Sequence, residues 1–399
     1  MRILYIAHRV PYPPDRGDRI RSYHVIRYLA ERHRVELVCL SSSKDEAEKA
    51  EPLREFCDAV DIVPLPGAVS RIRALRGFLS TKPLTLWFFQ SKRLRRLVAG
   101  RLRERPFDVV LAFSSSMAQF IPFHRSVPRI VDLADVDSDK WFQYAEHTGF
   151  PKSLVYRLEG KRLQRYERSL LDRIDACMVI SPEEERLLRP YAGETPLFTL
   201  PNGVDLEYFQ GPSRPSEHPR LIFVGVMNYF ANVDGVLYFH EQILPRIREE
   251  RPQTEFVIVG GDPPPAIRRL GKDRNVQVTG YVRDIRPAMR EAAVCVVPLR
   301  IARGVQNKIL EAMAMGLPVV TTSRALEGIG ARPGEDVIVA DDPGDFAAAT
   351  VRLLDDPRSR AGISRRARAF VESRYRWNSC LQKLDAILQT IPSESGWEK

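Results

Sequence analysis

The chain has few cysteines, and none of them is arranged as a pair. Its 399 residues include five cysteines that are scattered and odd in number, with no Cys-x-x-Cys and no Cys/His cluster. This distribution argues against a disulfide framework and against a structural zinc site. It predicts reduced thiols in a cytoplasmic protein. The five are Cys39, Cys57, Cys177, Cys295 and Cys380.

Long apolar runs are also missing. Nowhere do eighteen apolar residues stand together, so the sequence predicts no transmembrane helix. The apolar stretch that begins at Met1 is too short for a signal peptide and lacks a small-residue cleavage site, and it is typical of a first β-strand instead. The expectation is a soluble or peripheral protein.

Acidic residues are nearly absent from one segment. Between Ser70 and Pro106, eleven basic residues are opposed only by Glu104, which accounts for the net charge of +10 of the whole chain. Leu, Phe and Trp residues are interleaved with the charges, a mixture typical of a surface that binds anionic lipid headgroups. The alternative is a solvated helix face around an ordinary core stripe; a nucleic-acid partner has less support, because nothing else resembles a nucleic-acid module. The predicted membrane-facing residues are Arg71, Arg73, Arg76, Trp87, Arg93 and Arg96.

What the chain does contain is a repeated alternation of short β-branched runs and amphipathic stretches. Strands are expected from residues 2 to 7 and near 35, 61, 108, 129 and 176, and again near 221, 255, 276, 294, 319 and 337. Buried runs such as Phe256–Val259 are apolar on both faces, as in parallel strands covered by helices. The pattern predicts an α/β fold with two Rossmann-like, doubly wound domains facing each other across a cleft.

The predicted domains span residues 1–205, 206–375 and a C-terminal helix, 376–399. The first is expected to bind the acceptor, the second the donor, and the terminal helix to cross back to the first domain. A Pro/Ser-rich stretch without apolar periodicity, Gln210–Arg220, marks the expected seam.

The most specific chemistry lies in the segment from Leu299 to Val320. Gly304 would let the backbone approach a ligand, and the amides from Val305 to Asn307, including that of Gln306, would point out of a helix N-terminus at a diphosphate. Lys308 adds a positive charge, and Glu311 follows on the same helix face, where its oxygens could accept both ribose hydroxyls. The alternative is a surface helix in which Lys308 and Glu311 merely pair.

The stretch K-I-L-E-A-M-A-M-G-L-P-V-V within this segment resembles the donor-binding signature of glycosyltransferase family 4, whose members are retaining enzymes of the GT-B fold. The resemblance covers nearly the whole chain. It implies that Glu311 holds the donor ribose, that basic residues and loop amides hold the diphosphate, and that neither a metal nor a cofactor takes part. Arg303 stands where most members have a glutamate, whereas Gly304, Lys308 and Glu311 match a Gly-x-x-x-Lys-x-x-Glu variant of the motif.

Two further segments extend the same resemblance. Gly225 lies in a stretch similar to the Gly loop that opens the donor domain. Relatives often have Arg and Lys after it, so Lys308, Arg300 and Arg303 are expected to compensate here. Tyr281 follows a predicted strand end, where it would stack on the nucleobase while the Val282 backbone binds it. The alternative for Tyr281 is an ordinary half-buried strand aromatic.

In the first half, the loop after the first strand is a candidate cleft loop. It contains Arg16, Gly17 and Asp18; an anionic ligand would suit the arginine, while Asp18 could instead cap the next helix. Ser114 follows a strand at the position where many relatives place a histidine that faces the acceptor. His124 is the histidine near it in sequence and is a candidate catalytic group.

An Asp-rich stretch around Asp135 and Asp137 completes the candidate residues. The two carboxylates are interpreted as a catalytic base or orienting group on the acceptor side. A helix cap remains an alternative, and a metal site is the least supported of the three.

These features together are similar to the sugar transferase subfamily associated with exosortase and PEP-CTERM exopolysaccharide systems. The sequence therefore predicts transfer, with retention, from a nucleotide diphosphate sugar to a glycan or lipid-linked acceptor at the inner membrane face, with no nucleic-acid partner. A nucleotide-sugar epimerase of the same fold and a non-catalytic membrane scaffold are the alternatives. No Gly-x-Gly-x-x-Gly follows a first strand, which argues against an NAD-dependent enzyme.

Overall fold

The computed structural model describes residues 1–122, 127–211, 216, 218–302 and 304–391. His124 and Arg303 lie outside the described residues. The chain forms two compact units: the first comprises Met1–Pro201 and the chain from Leu381 onward, and the second Asn202–Cys380. The division lies four residues before the boundary predicted at residue 205 and before the seam predicted at Gln210–Arg220, because Arg368 of the second unit donates to the carbonyls of Leu206 and Phe209 and so holds these two residues in that unit.

The first unit is built on one parallel sheet of seven strands in the order β3-β2-β1-β4-β5-β6-β7. Its strands are β1 (Arg2–Ala7), β2 (Arg34–Ser41), β3 (Ala59–Pro64), β4 (Val109–Phe113), β5 (Arg129–Ala134), β6 (Ala176–Val179) and β7 (Leu197–Thr199). Every residue of β4 is buried, as expected for a central parallel strand that is covered on both faces. The short strand β7 was not predicted, since three residues carry too little periodicity to recognise.

Nine helices connect these strands within the described residues. They are α1 (Gly17–Ala30), α2 (Lys44–Glu48), α3 (Gly67–Arg76), α4 (Leu84–Phe88), α5 (Lys92–Glu104), α6 (Ser115–Ala118), α7 (Asp137–Glu146), α8 (Lys152–Leu171) and α9 (Pro182–Leu188). Helix α7 ends before Gly149 and α8 begins after Pro151, because a proline disfavours helical geometry in the residue before it.

The second unit repeats the plan with a six-stranded parallel sheet in the order β10-β9-β8-β11-β12-β13. Its strands are β8 (Arg220–Val224), β9 (Glu255–Val259), β10 (Val276–Gly280), β11 (Val294–Val297), β12 (Val319–Thr321) and β13 (Ile338–Val339). Its helices are α10 (Phe230–Tyr238), α11 (Leu244–Glu250), α12 (Pro265–Leu270), α13 (Arg286–Glu291), α14 (Asn307–Ala314), α15 (Ser323–Leu326), α16 (Pro343–Asp355) and α17 (Pro357–Arg374). Two doubly wound α/β sheets are thus confirmed.

The last helix, α18 (Trp377–Thr390), begins in the second unit and continues in the first. In the first unit the hydroxyl of Tyr28 on α1 donates to Asp385 of α18 at 2.6 Å, which ties the terminal helix to that unit. Among the helices of the described chain, none combines the length and the apolar character that crossing a bilayer requires.

A buried ion pair lies in the core of the first unit. Both carboxylate oxygens of Asp132, on β5, accept from the Arg21 guanidinium of α1, at 2.8 and 2.9 Å, and Arg21 also donates to the carbonyl of Leu200 at 2.7 Å. Both side chains are buried. Asp132 is thus the part of the Asp-rich stretch that serves the fold, because it joins a helix, a central strand and the segment after β7.

Candidate active site

In the second unit, strands β8 and β11 are neighbours although two other strands lie between them in sequence. Chain connections leave this point in opposite directions, and in open α/β sheets ligands bind beyond the carboxyl ends of the strands at such a switch. The loop after β11 leads into α14, so the start of that helix lies at this edge. The geometry of the sheet therefore predicts a ligand site here.

Two glycines allow the backbones to approach closely at this edge. A Cβ on Gly225 would lie 2.7 Å from the Asn232 amide nitrogen and 3.1 Å from the Lys308 ammonium nitrogen. A Cβ on Gly260 would lie 1.7 Å from the carbonyl oxygen of Gly225. Both positions therefore need glycine, and the predicted role of Gly225 has a steric basis.

Lys308 extends from the start of α14 to this glycine loop. Its ammonium donates to the Oδ1 of Asn232 and lies 4.5 Å from the centre of the Phe223 ring. Asn232 is fixed in turn, because its Nδ2 donates to the carbonyl of Val226 at 2.9 Å. Sequence reasoning missed Asn232, although a polar residue in the first turn of the helix after a glycine loop was a usable signal.

Glu311 lies one turn beyond Lys308 on α14, and both side chains are partly buried. Burial raises the pKa of Glu311 to about 7, which the charge of Lys308 only partly opposes. Burial likewise lowers the pKa of Lys308 to about 8. Among the described residues no hydrogen-bond donor reaches the Glu311 carboxylate, so it is available to the hydroxyls of a ligand. Burial shifts the pKa values of both Lys308 and Glu311 toward their neutral forms, which does not fit the alternative of a solvent-exposed ion pair between them.

The loop before α14 has the expected backbone. Gly304 is buried and has a φ of 55°, in the left-handed region that favours glycine, and Gln306 immediately precedes the helix. Arg300, by contrast, is not a free cation for a diphosphate, because it pairs with Asp234 and lies 4.6 Å from the centre of the Tyr238 ring. Asp234, on α10, therefore competes with a diphosphate for Arg300, and the contact of Arg300 with the donor stays a prediction.

The predicted base-binding turn follows β10. The strand ends at Gly280, with a φ of 69°, and the next residue, Tyr281, is 68% exposed beside Gly261. An ordinary half-buried strand aromatic would be covered, so the exposed ring is available for stacking. Val282 follows it and is half-buried.

A second group of polar side chains lies at the carboxyl edge of the first unit. His8, directly after β1, contacts Asp18 through its Nε2 at 3.1 Å, and its ring stacks 5.5 Å from that of Phe113 at the end of β4. Arg9 contacts the same Asp18 oxygen at 3.2 Å. Burial alone would raise the pKa of Asp18, but the hydrogen bond and charge of His8, together with Arg9, hold it well below its usual range.

Asp18, the second residue of α1, has two roles: its Oδ2 contacts His8, and its Oδ1 accepts from the backbone amide of Arg19 at 3.0 Å in the first turn of the helix. Arg16 and Gly17 begin the same helix, where Arg16 occupies the N-cap without a capping side chain. Sequence reasoning missed His8; its position immediately after the first strand, at the edge where the loops meet, was the available signal.

In the Asp-rich stretch, the carboxylate of Asp137 already has two partners. Asp137 accepts from the Ser115 hydroxyl at 2.8 Å and pairs with Lys140. Although burial would raise its pKa, Lys140 and Ser115 lower it, so the group stays ionised. Asp137 is thus an orienting group rather than a strong base, while Asp135 is half-buried in the loop after β5.

Ser114 has strained backbone geometry at this same edge. Its φ is 77°, its amide donates to the carbonyl of Asp132 at 2.7 Å, and its hydroxyl lies 2.7 Å from that of Ser116. A non-glycine residue held in the left-handed region is uncommon outside functional sites and tight turns. The structure thus gathers His8, Asp18, Ser114 and Asp137 at the ends of β1, β4 and β5.

Known sequence families match both halves of this architecture. Residues 17–203 match the family described as "Glycosyl transferase 4-like domain", and residues 218–356 match "Glycosyl transferases group 1". The chain belongs to the GT-B glycosyltransferases. The structure of HepE from Anabaena, in complex with UDP, has the same fold as this glycosyltransferase, with a TM-score of 0.68 and 15% identity over 98% of this chain and 100% of that one.

Two curated proteins are similar in sequence to this glycosyltransferase. A GDP-mannose-dependent monoacylated alpha-(1-6)-phosphatidylinositol monomannoside mannosyltransferase of Corynebacterium glutamicum is 27% identical over 56% of this chain, and the match spans 65% of that relative's length. An uncharacterised 44.6 kDa protein in the cps region of Klebsiella pneumoniae is 22% identical over 94% of this chain and 96% of its own length.

The basic segment of this glycosyltransferase is only partly the surface that the sequence predicts. Arg71, Arg76, Arg93 and Arg96 are exposed, whereas Arg73 donates to the carbonyl of Gln90 at 2.6 Å. Trp87 is half-buried: its indole packs on Gly77, where a Cβ would lie 2.7 Å from the ring, and its Nε1 is buried. This packing does not favour its predicted role as a membrane anchor.

Donor binding should change the number of protons bound to the protein, from a net release at lower pH to a net uptake at higher pH. In the predicted site, ribose hydroxyls would stabilise the Glu311 carboxylate and release a proton held near its pKa of about 7, whereas a diphosphate would stabilise protonated Lys308, whose pKa is about 8. Proton release should therefore dominate on the acidic side of neutrality, and proton uptake on the alkaline side. Calorimetry with a nucleotide sugar in buffers of different ionisation enthalpy measures this sign.

The matched control for this exchange is Glu311→Gln, which should retain only the uptake at Lys308. Heats that do not depend on the buffer on either side of neutrality would contradict the assignment of these two groups to the donor site.

Proposed function

We propose that this glycosyltransferase moves a sugar from a nucleotide diphosphate sugar to an acceptor hydroxyl. The observation that supports the proposal most is the group formed by Gly225, Asn232, Lys308 and Glu311 at the switch point of the second sheet. It offers one cation and a closely approachable backbone to a diphosphate, and one carboxylate to a ribose. The UDP complex of HepE, which has the same fold, is consistent with a nucleotide donor.

In the proposed reaction, the bond between the anomeric carbon and the diphosphate oxygen breaks while the acceptor oxygen bonds to that carbon. Lys308 and the amides at the start of α14 stabilise the negative charge that develops on the departing diphosphate. We propose that no metal is needed for this stabilisation and that the anomeric configuration is retained, as the family 4 resemblance implies.

We assign the acceptor to the first unit, where His8, Asp18 and Ser114 lie at one edge of the sheet. Asp18 contacts His8 through Nε2, so Nδ1, which is buried and has no hydrogen-bond partner among the described residues, is the atom that would accept the proton once the acceptor hydroxyl reaches it, and Asp18 would stabilise the imidazolium. His8→Gln should therefore lower kcat by about 10²–10⁴-fold with little change in donor affinity. Steady-state kinetics and donor calorimetry on the same preparation measure both quantities.

We propose that the acceptor is a lipid-linked glycan in exopolysaccharide assembly of the exosortase-associated kind, reached from the cytoplasmic side. Two relatives support this class of acceptor: one is named for transfer to a phosphatidylinositol mannoside, and the other is encoded in a cps region.

The decisive test of the donor is a binding screen of UDP, GDP, ADP and their sugars, with and without Mg²⁺, by thermal shift and calorimetry. One nucleoside diphosphate should bind in the presence of EDTA, and Glu311→Ala should weaken it by about 10- to 100-fold, because two hydrogen bonds to a charged group are lost. Glu249→Ala, an exposed glutamate on α11, is the matched control and should bind as wild type.

Three results would change the proposal. Absence of binding by any nucleotide would rule out the transferase, and strict dependence on Mg²⁺ would rule out the metal-independent site. Interconversion of a nucleotide sugar without an acceptor would assign the protein as an epimerase. Once a donor is known, the anomeric configuration of the transferred sugar, read by NMR, tests retention.

A further inference from the structure

The first unit carries an exposed apolar surface that its core does not use. The surface has two parts, one on α3 with the short 3₁₀ turn Gly77–Leu79 after it, and the other at the tip between α7 and α8. Leu79 is 96% exposed and Phe150 81% exposed, far more than large apolar side chains usually are. We call these residues the apolar ridge: Ile72, Leu75, Phe78, Leu79, Phe150, Leu154 and Leu158.

Buried hydrogen bonds join the two parts of the apolar ridge. The guanidinium of Arg162, on α8, donates to the carbonyls of Gly77 at 3.0 Å and Phe78 at 3.4 Å. Leu158 and Leu154 lie one and two turns before Arg162 on α8, and Phe150 precedes the helix.

A buried carboxylate on α8, that of Glu159, makes further contacts with the chain that follows the Gly77–Leu79 turn. The carboxylate of Glu159, also on α8, accepts from the backbone amides of Leu84 and Thr85 at 2.6 and 2.8 Å, and from the Thr85 hydroxyl at 2.7 Å. This group therefore fixes the start of α4, a few residues after the Gly77–Leu79 turn, to α8.

Exposed cations flank the apolar ridge on both parts. No acidic residue occurs from Pro66 to Arg103 or from His147 to Leu158, and the exposed acid that precedes the second part is Glu146. None of the flanking cations forms an ion pair with another residue of the described chain. These cations are Arg71, Arg76, Lys82, Lys152, Arg157 and Lys161.

We propose that the apolar ridge inserts into the headgroup region of an anionic bilayer, with Leu79 and Phe150 reaching deepest. Isolated apolar tips that protrude from a basic rim fit an interface in which side chains enter the acyl boundary while cations contact lipid phosphates. A protein partner would instead need a broad, well-packed patch. The inference rests on the proposed function in one respect: such a bilayer would present the lipid-linked acceptor to the first unit.

The first experiment is vesicle flotation of the full chain with phosphatidylcholine alone or mixed with phosphatidylglycerol. Wild type should bind the anionic vesicles at least about tenfold more than the neutral ones, and less at high salt. The double variant Leu79→Ser/Phe150→Ser should lose about tenfold or more of that binding. Because both side chains are exposed, its Tm and its nucleotide binding should match wild type.

Charge variants separate this surface from a general effect of a basic protein. Arg71→Glu/Arg76→Glu/Arg157→Glu should abolish flotation with anionic vesicles. Arg268→Glu/Arg269→Glu, at exposed positions on α12 of the second unit, is the control and should bind within about twofold of wild type.

Depth of insertion can be read directly, because all five native cysteines are buried. A solvent-sensitive fluorophore attached to Leu79→Cys or Phe150→Cys should shift to the blue on anionic vesicles and be quenched by lipids spin-labelled near the headgroup. The same label at Glu249→Cys should show neither change.

Equal binding to both vesicle types, no binding to either, or wild-type binding by the Ser variant would each overturn the proposal. A dimer in solution that the Ser variant abolishes, without vesicle binding, would assign the apolar ridge to a second copy and overturn it too. Vesicle binding without nucleotide binding would contradict the proposed function but support insertion of the apolar ridge. Nucleotide binding without vesicle binding would support the proposed function but contradict insertion of the apolar ridge.

Discussion

Replacing Lys308 with methionine should lower kcat by about 10²–10³-fold, because the charge that stabilises the departing diphosphate is removed. Methionine keeps the length of the side chain and its packing over Phe223, so the glycine loop should keep its shape. Steady-state kinetics with the identified donor and acceptor measure the effect, and the affinity for the nucleoside diphosphate product should fall as well.

Two comparisons make this result specific. Asn232→Ala removes the acceptor that holds the ammonium and should give a smaller loss, since the charge itself remains. Lys308→Met should also stabilise the unliganded protein near pH 7 but not near pH 10.5. The folded-state pKa of Lys308 is lowered to about 8, so below that pH its buried charge reduces the free energy of unfolding. This destabilisation disappears at a pH high enough for the lysine of the unfolded chain to lose its proton as well. A kcat within about fivefold of wild type would contradict the assignment of Lys308 to the leaving group.

Replacing Asp132 with alanine should destabilise the first unit by about 3–5 kcal/mol, because it leaves the buried Arg21 guanidinium without its carboxylate. A loss of this size is a large fraction of the stability of an ordinary domain. Urea unfolding followed by a probe in the first unit gives the change. Nucleotide binding by the second unit should be unaltered under conditions in which the variant is folded.

The matched control for Asp132 is Asp61→Ala in the same unit. Asp61 also accepts two bonds from an arginine, Arg101, but that pair is partly exposed, and its loss should cost only about 0–1 kcal/mol. The double variant Arg21→Met/Asp132→Leu should recover much of the lost stability, since neither charge remains buried. Equal effects of Asp132→Ala and Asp61→Ala would show that burial does not set the strength of the ion pair.

Composition alone predicted that the basic segment contains a surface, but not which of its apolar residues are exposed. A run of basic residues without acids indicated a surface, and Arg71 and Arg76 are exposed there. Composition did not distinguish Trp87, which packs inward, from Leu79, which protrudes, since both are large apolar residues of one segment. It also gave no reason to join that segment to Phe150, because the Arg162 contact that does so spans residues far apart in the chain.

The sequence by itself determined the repeated α/β plan and the segment proposed to bind the donor. Apolar runs that suit both faces of a parallel strand, and the spacing of Gly304, Lys308 and Glu311, depend on neighbours within one strand or one helical turn, so they can be recognised locally. Tertiary structure decided how the charged groups are paired. Arg300 forms an ion pair with Asp234, whereas Lys308 contacts the neutral side chain of Asn232. Asp132 forms a buried ion pair with Arg21 in the core of the first unit. Tertiary structure also placed His8 against Asp18. The physical reason is that burial and charge pairing depend on strand order, which brings together groups that no local pattern connects.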